Sequence, residues 1–339
     1  MRKQKYILFL ALVLCVASAL FLGSARSREP VAEEAAALPR RTTVLCVGLD
    51  KAAANTDVLM LLSLDGEQKE ISVLQIPRDT YFFADTAQKK INQLYPRYRL
   101  EGMDPHAALT SVARMLSDSL GIRIDAYLAL DLPAIEMLID GIGGVSVDVP
   151  TPIRHRASDG DGYIEIPAGE RLLSGREAVE FLRFRAGYTQ GDLGRVDAQK
   201  LLLAATYRKL REDMSLPVIV KLLTALHGNA YTDMSLADEL SLARAYYKNR
   251  NDFSVNFLTL PGEATRAEES GGLSYYVANR KGAREVLGRY FGGDTFDPEA
   301  RFFDSARPHF VNIYYDNAPS YTVYTEETAD GLDIKTKQK

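Results

Sequence analysis

The chain has 339 residues, 46% hydrophobic and 25% charged, enough for one large domain or two small ones with full cores and too apolar for a disordered chain. Its 41 Lys and Arg against 45 Asp and Glu leave a formal net charge of −4. That excludes a general nucleic-acid binder, which needs a basic surface, so any bound anion must be held by a local cluster.

Arg2, Lys3 and Lys5 precede an uncharged run from Tyr6 to Leu22 that continues to Ala25. About 20 residues at about 1.5 Å each cross a bilayer core, so residues 1–25 are expected to form a cytoplasmic start and one transmembrane helix. The basic flank places the N-terminus inside and the body of the protein outside. A cleaved signal peptide is the alternative, since Gly23-Ser24-Ala25 offers small residues. The run, however, exceeds the roughly 7–15 residues of a usual signal core. Residues 26–41, rich in Ala, Glu, Arg and Pro, read as a polar linker.

The folded part is expected over 42–295. Apolar runs predict strands at 42–48, 58–64 and 71–76, with Asp65-Gly66 as a hairpin turn between the last two. Residues 105–120 predict a helix with Asp104 as N-cap and Gly121 as stop. A strand at 127–130, a helix at 133–139 and a strand at 144–149 follow. Helices are predicted at 173–184 and 193–213, the second long and amphipathic with Val196, Leu203, Tyr207 and Leu210 near one face. Two further helices, near 216–227 and 235–247, precede a strand at 253–260. The class is α/β, with a mixed central β-sheet flanked by helices. Residues 296–339, rich in Tyr, Thr and charge, read as a partly ordered C-terminal tail.

Cys15 lies mid-span and Cys46 inside a strand pattern, so neither a disulfide nor a cysteine-built zinc site is expected. Three stretches place Arg and Asp where apolar elements end, the usual position of groups that line a cleft. They are Ile76-Pro77-Arg78-Asp79-Thr80, Arg183-Phe184-Arg185, and Gly191-Asp192-Leu193-Gly194-Arg195 with Gln199 further along. The guanidinium fork matches two phosphate oxygens and stays charged. Alternation puts the Arg183 and Arg185 side chains on one side. The glycines around Asp192 permit a tight turn, and the helix after it turns its positive end outward. Such a site prefers pyrophosphate. Asp50 and Asp57, at neighbouring strand ends, offer hard oxygen ligands suited to Mg²⁺ or Mn²⁺ with phosphate completing the shell. The plain alternatives are ion pairs of Arg183 and Arg185 with Glu177 and Glu180, and Asp192 as an ordinary helix cap.

Taken together, the pieces resemble the LytR-CpsA-Psr family: Val47-Gly48-Leu49-Asp50, Thr56-Asp57-Val58-Leu59-Met60, Ile76 to Thr80, Lys90-Ile91-Asn92, Gly143 to Pro150, Pro167-Ala168-Gly169, Arg183-Phe184-Arg185, and Gly191 to Arg195 with Gln199. They span residues 42 to 212. The resemblance implies a bacterial membrane-anchored enzyme, its domain extracellular, that moves a glycopolymer such as teichoic acid or capsule from undecaprenyl pyrophosphate to peptidoglycan. It implies that Arg78, Lys90, Arg183, Arg185, Arg195 and Gln199 hold the pyrophosphate and that Asp50 and Asp57 hold Mg²⁺ or Mn²⁺. Asp57, Arg78 and Asp192 would form the catalytic set. It also implies a hydrophobic groove for the polyprenyl chain, for which the apolar residues of 105–120 are the expected lining. The chain departs from the family in carrying Asn55-Thr56 where Arg-Ser is usual, with Lys51 as a substitute point charge. A non-catalytic polyprenyl-pyrophosphate-binding protein is the competing expectation.

Overall fold

A computed structural model describes residues 40–49, 56–82, 86, 88–156, 162–265, 272–293, 321–325, 327–332 and 334–337. The expected anchor and nearly all of the linker lie outside these residues. No helix among the described residues is long and apolar enough to cross a membrane.

Three strands open the fold: β1 (Arg41–Leu49), β2 (Thr56–Asp65) and β3 (Glu70–Ile76). Nearly every residue of each is buried, the pattern of strands covered on both faces, which is why they read as unbroken apolar runs rather than alternating ones. The β2–β3 turn forms as Asp65 accepts the backbone N–H groups of Glu67 and Gln68. Helices α1 (Leu94–Leu100) and α2 (Pro105–Leu120) follow. As expected, Asp104 caps α2, accepting from His106 and Ala107 N–H, and Gly121 ends it at φ 60°.

The chain continues through β4 (Ala126–Leu130), α3 (Leu132–Gly141), β5 (Val145–Val149), β6 (Ile153–Arg156), β7 (Tyr163–Ile166) and β8 (Gly169–Leu173). Next come α4 (Gly175–Arg183), α5 (Asp192–Glu212), α6 (Leu216–His227), β9 (Tyr231–Thr232) and α7 (Leu236–Asn249). Then follow β10 (Ser254–Thr259), β11 (Gly262–Ala264), β12 (Tyr276–Ala278), α8 (Arg280–Phe291) and β13 (Tyr324–Thr325).

Seven strands form one mixed sheet in the order β13-β10-β3-β2-β1-β4-β9. The pairs β1–β4 and β3–β10 are parallel and the other four are antiparallel. The mixed sheet with its helices agrees with the expected class. Three small antiparallel pairs, β5–β8, β6–β7 and β11–β12, lie outside it.

Three elements differ from the expected ones or add to them. The helix α5 is not amphipathic over its whole length: Ala198 to Tyr207 are all buried, including Lys200 and Thr206, because the helix runs through the interior. Helix α8 was not anticipated, although Asn279 caps it and Gly292 ends it at φ 66°. The described part of the expected tail is built into the domain. There β13 pairs with β10, Thr189 N–H donates to Lys335 O at 2.9 Å, Lys337 N–H donates to Gly187 O at 2.8 Å, and Arg208 meets Asp330 at 2.9 Å.

Candidate phosphate-binding site

The Pro77–Thr80 turn leaves β3 and is braced from both sides. Thr80 N–H donates to Pro77 O, while Tyr276 N–H of β12 donates to Asp79 O at 2.9 Å. On the other side Asn92 N–H donates to Arg78 O and Ile91 N–H to Thr80 O, and the Thr56 hydroxyl at the start of β2 donates to Asn92 O at 3.1 Å. Lys90-Ile91-Asn92 therefore fixes the backbone of Arg78 and Asp79 against β2 and brings residues far apart in sequence together. Across from this turn Gly191 takes φ +56°, the left-handed region open to glycine, and starts α5. A Cβ on Gly194 would stand 2.6 Å from Tyr188 Cβ, so glycine there lets the first turn of α5 settle on the buried Tyr188.

These two segments bring cations and carboxylates together in alternation. Arg78 Nη1 lies 2.8 Å from Asp57 Oδ1, and Arg78 Nε lies 3.7 Å from Asp192 Oδ1 and 3.8 Å from Asp79 Oδ2. Arg195 Nη2 lies 2.8 Å from the same Asp192 oxygen, and Lys90 Nζ lies 2.8 Å from Asp79 Oδ1 and 5.4 Å from the Tyr275 ring centre. Burial lowers the pKa of Arg78, but Asp192, Asp57 and Asp79 together outweigh it, and the net direction is up. Arg195, only 5% exposed, moves the other way. Burial pulls it down, Asp192 resists, and the like charges of Arg78 and Arg185 add to the fall. The Nε atoms of both Arg78 and Arg195 are buried without a hydrogen-bond acceptor among the described residues. Crowded guanidiniums that the surrounding carboxylates do not fully satisfy suit an incoming polyanion.

The expected residues divide into three groups. Asp57, Arg78, Lys90, Asp192 and Arg195 meet at the cluster, and the exposed Arg185 is near enough to act on Arg195. The strand-like alternation expected for Arg183 and Arg185 does not apply, because Arg183 is the last residue of α4. Its Nη1 lies 3.4 Å from the buried Glu180, a contact too long to offset burial, which pushes the guanidinium down to about 9. Glu177, the other expected partner, instead closes a capping box with Ser174. Gln199 is buried and donates to Leu182 O at 3.2 Å while accepting from Gln75 at 3.3 Å, which ties α4 and β3 to α5. Asp50, Lys51 and Asn55 lie outside the described residues.

Asp79 was not among the expected site residues. Its only sequence signal was its place inside Pro-Arg-Asp-Thr. The apolar stripe of α2 does not line a groove: Ala108, Leu109, Val112, Leu116 and Leu120 are all closed into the main core, since a two-faced sheet needs them there. Among the described residues no group of three His, Cys, Asp or Glu side chains is placed to hold a metal ion. Asp57 and Asp192 are still hard oxygen donors. Mg²⁺ is commonly held by one or two carboxylates with substrate phosphates completing the shell, so the donor set fits on that condition.

Residues 25–290 match the LytR_cpsA_psr family. The polyisoprenyl-teichoic acid–peptidoglycan teichoic acid transferase TagU of Oceanobacillus iheyensis is 27% identical over 70% of this chain and 71% of its own length. The transferase TagV of Bacillus subtilis is 28% identical over 60% of this chain and 52% of its own. The crystal structure of B. subtilis TagV shares the fold with a TM-score of 0.61, covering 76% of this chain and 99% of that one.

Proposed function

This chain belongs to the LytR_cpsA_psr family, and we propose on that footing that it transfers a phosphoglycan from a polyprenyl pyrophosphate carrier to a peptidoglycan hydroxyl. The observation that carries the reading is the half-buried Arg78 and the buried Arg195, two guanidiniums gathered around Asp192 beside the N-terminus of a 21-residue helix. The names of TagU and TagV support a teichoic acid or related polymer as the transferred chain.

In this reading Arg78, Arg195, Arg185 and Lys90 take the pyrophosphate oxygens. Asp192, between Arg78 and Arg195, keeps the two guanidiniums at a fixed separation. An acceptor hydroxyl attacks the sugar-linked phosphorus, the bond to the bridging oxygen breaks, and polyprenyl phosphate leaves. The hydroxyl proton passes to a cluster carboxylate or to water. Little covalent work falls to the protein, so rate comes from positioning and from neutralising charge on the leaving phosphate. Asp57, assisted by substrate oxygens and by Asp50, would hold Mg²⁺ or Mn²⁺, which when bound supplies further neutralisation. Residues 1–25 would anchor the chain in a bacterial cell membrane with the domain outside.

Full-length protein incubated with a glycan-bearing polyprenyl pyrophosphate, a peptidoglycan oligomer and Mg²⁺ should give linked product and polyprenyl phosphate, and EDTA should stop the reaction. Binding without product would leave a lipid-pyrophosphate-binding envelope protein, and transfer undiminished by EDTA would remove the metal from the scheme.

A further inference from the structure

A cavity of about 220 Å³ lies on the other side of the first turns of α5, outside the cluster of cations and aspartates. Leu193, Val196, Asp197 and Lys200 line it at helical spacing, while Asp192 and Arg195 look toward the phosphate site, so one helix forms a wall of both. The cavity also shares the braced turn. Tyr276 lines it and bridges to Thr80, and Thr259 at the end of β10 pairs with Gln75, two residues before Pro77. The two sites therefore open at the same end of the sheet.

Its chemistry is unlike the phosphate site. Lys200, 3% exposed, is paired with Asp197 at 2.8 Å, which leaves no net charge to attract a phosphate. What remains is hydroxyl and amide groups from Thr259, Thr322 and Gln190 beside the phenol rings of Tyr276 and Tyr324, the second with Lys200 Nζ 5.4 Å from its centre. Apolar ring faces with a few fixed polar groups are how a protein holds a sugar ring, whose C–H face is apolar and whose rim is hydroxyls. The volume lies below the range of about 300–1,000 Å³ for drug-sized ligands, so a single sugar-sized unit fits and the rest of a polymer extends outside. One wall is Tyr321, Thr322 and Tyr324, which lie beyond the residues matched to the family. The shape of the cavity is therefore set partly by a segment outside the matched residues.

We propose that this cavity is a subsite for a neutral sugar unit of the substrates, set beside the reacting phosphate and shaped by the C-terminal segment. The proposal rests on the transfer reading above. Two sources present such a sugar next to the phosphate: the first unit of the donor glycan, and the acceptor unit of peptidoglycan.

The test uses the full chain in detergent, the Thr322→Trp variant that fills the exposed wall, and the Gln190→Ala variant that removes a rim amide. Three probes are titrated: polyprenyl pyrophosphate without sugar, the same lipid bearing its glycan, and a muropeptide oligomer. Both variants should bind the sugarless lipid as the parent does and lose roughly tenfold against one glycan probe. Loss against the glycan-bearing lipid assigns the cavity to the donor, and loss against the muropeptide assigns it to the acceptor. Variants that bind both glycan probes as the parent does would overturn the subsite. A parent that fails to bind the sugarless lipid would instead overturn the transfer reading, while the muropeptide titration still reports on the cavity.

Discussion

Replacing Arg195 by methionine keeps the buried aliphatic stem and removes the guanidinium, so it separates what the charge does for the fold from what it does for a ligand. In the free protein the loss takes the nearest cation from Asp192, which among the described residues keeps Arg78 at 3.7 Å. An unsatisfied buried polar group costs about 1–3 kcal/mol, and the Asp192 side chain, 25% exposed, belongs at the low end. For a domain of this size about 1 kcal/mol lowers Tm by roughly 2–4 °C, and relief of repulsion with Arg78 and Arg185 makes the fall smaller. Toward pyrophosphate the variant loses a charge-assisted contact of about 1.5–3 kcal/mol, or roughly 10- to 150-fold in Kd. Isothermal titration with inorganic pyrophosphate and with the lipid form reads the second effect, and thermal denaturation without ligand reads the first. Adding Asp192→Asn should restore Tm without restoring affinity. An Arg195→Met protein that binds within about twofold of the parent would refute the assignment of Arg195 to the anion.

Arg185→Met should weaken pyrophosphate severalfold with Tm unchanged, whereas Arg183→Met removes a guanidinium whose burial its long contact with Glu180 does not offset, and should leave both affinity and Tm no lower; loss of affinity in Arg183→Met and not in Arg185→Met would exchange their roles. Gly175→Ala places a Cβ 2.3 Å from Glu136 O and 2.7 Å from Glu136 Cα, backbone atoms that cannot yield, so denaturant titration should show a loss of about 1–3 kcal/mol or more. Asp233, which accepts Tyr127 N–H at 2.9 Å, has its pKa raised by burial above the ordinary 3.8. The folded state then holds this proton more tightly than the unfolded chain. Its contribution to stability is therefore lost as pH rises through the raised value and is fully present below 3.8. Across that window the parent should gain stability over Asp233→Asn as pH falls, and a constant difference in chemical denaturation would contradict the sign.

The central strands were legible because burial on both faces demands unbroken apolar runs, and 42–48, 58–64 and 71–76 differ from β1, β2 and β3 only by one or two residues at the ends. The α2 helix was legible from both ends, since Asp104 and Gly121 each do one local job. Helix α8 carried comparable signals, Asn279 before it, Ala283, Val286, Leu287 and Phe291 at helical spacing, and Gly292 after it, yet its charge obscured them. The site was legible in residue types and only partly in geometry. Proximity of Arg78 to Asp192 depends on how β3 and α5 meet, a tertiary fact with no local signature. The same holds for Arg183 and Gln199, whose motif positions are set by packing between α4, β3 and α5. Asp79 drew no role of its own because an Asp after Arg in a turn is common, and its closest cation, Lys90, is brought to it by the fold.

Both margins of the seven-stranded sheet are two-residue strands, β9 at one and β13 at the other. A long edge offers a row of free backbone groups to a second copy, and very short edges remove that template. The two margins are not equally secure, however. At the β13 side the next strand is the six-residue, largely buried β10, and what covers it belongs to the C-terminal segment, whose Lys335 meets Thr189 across 146 residues of sequence in the loop that leads into α5. Peeling of that segment would uncover β10 and slacken the approach to α5 in one motion, so the first sign of thermal damage should be pairing between copies along β10, arriving together with loss of grip on the anion.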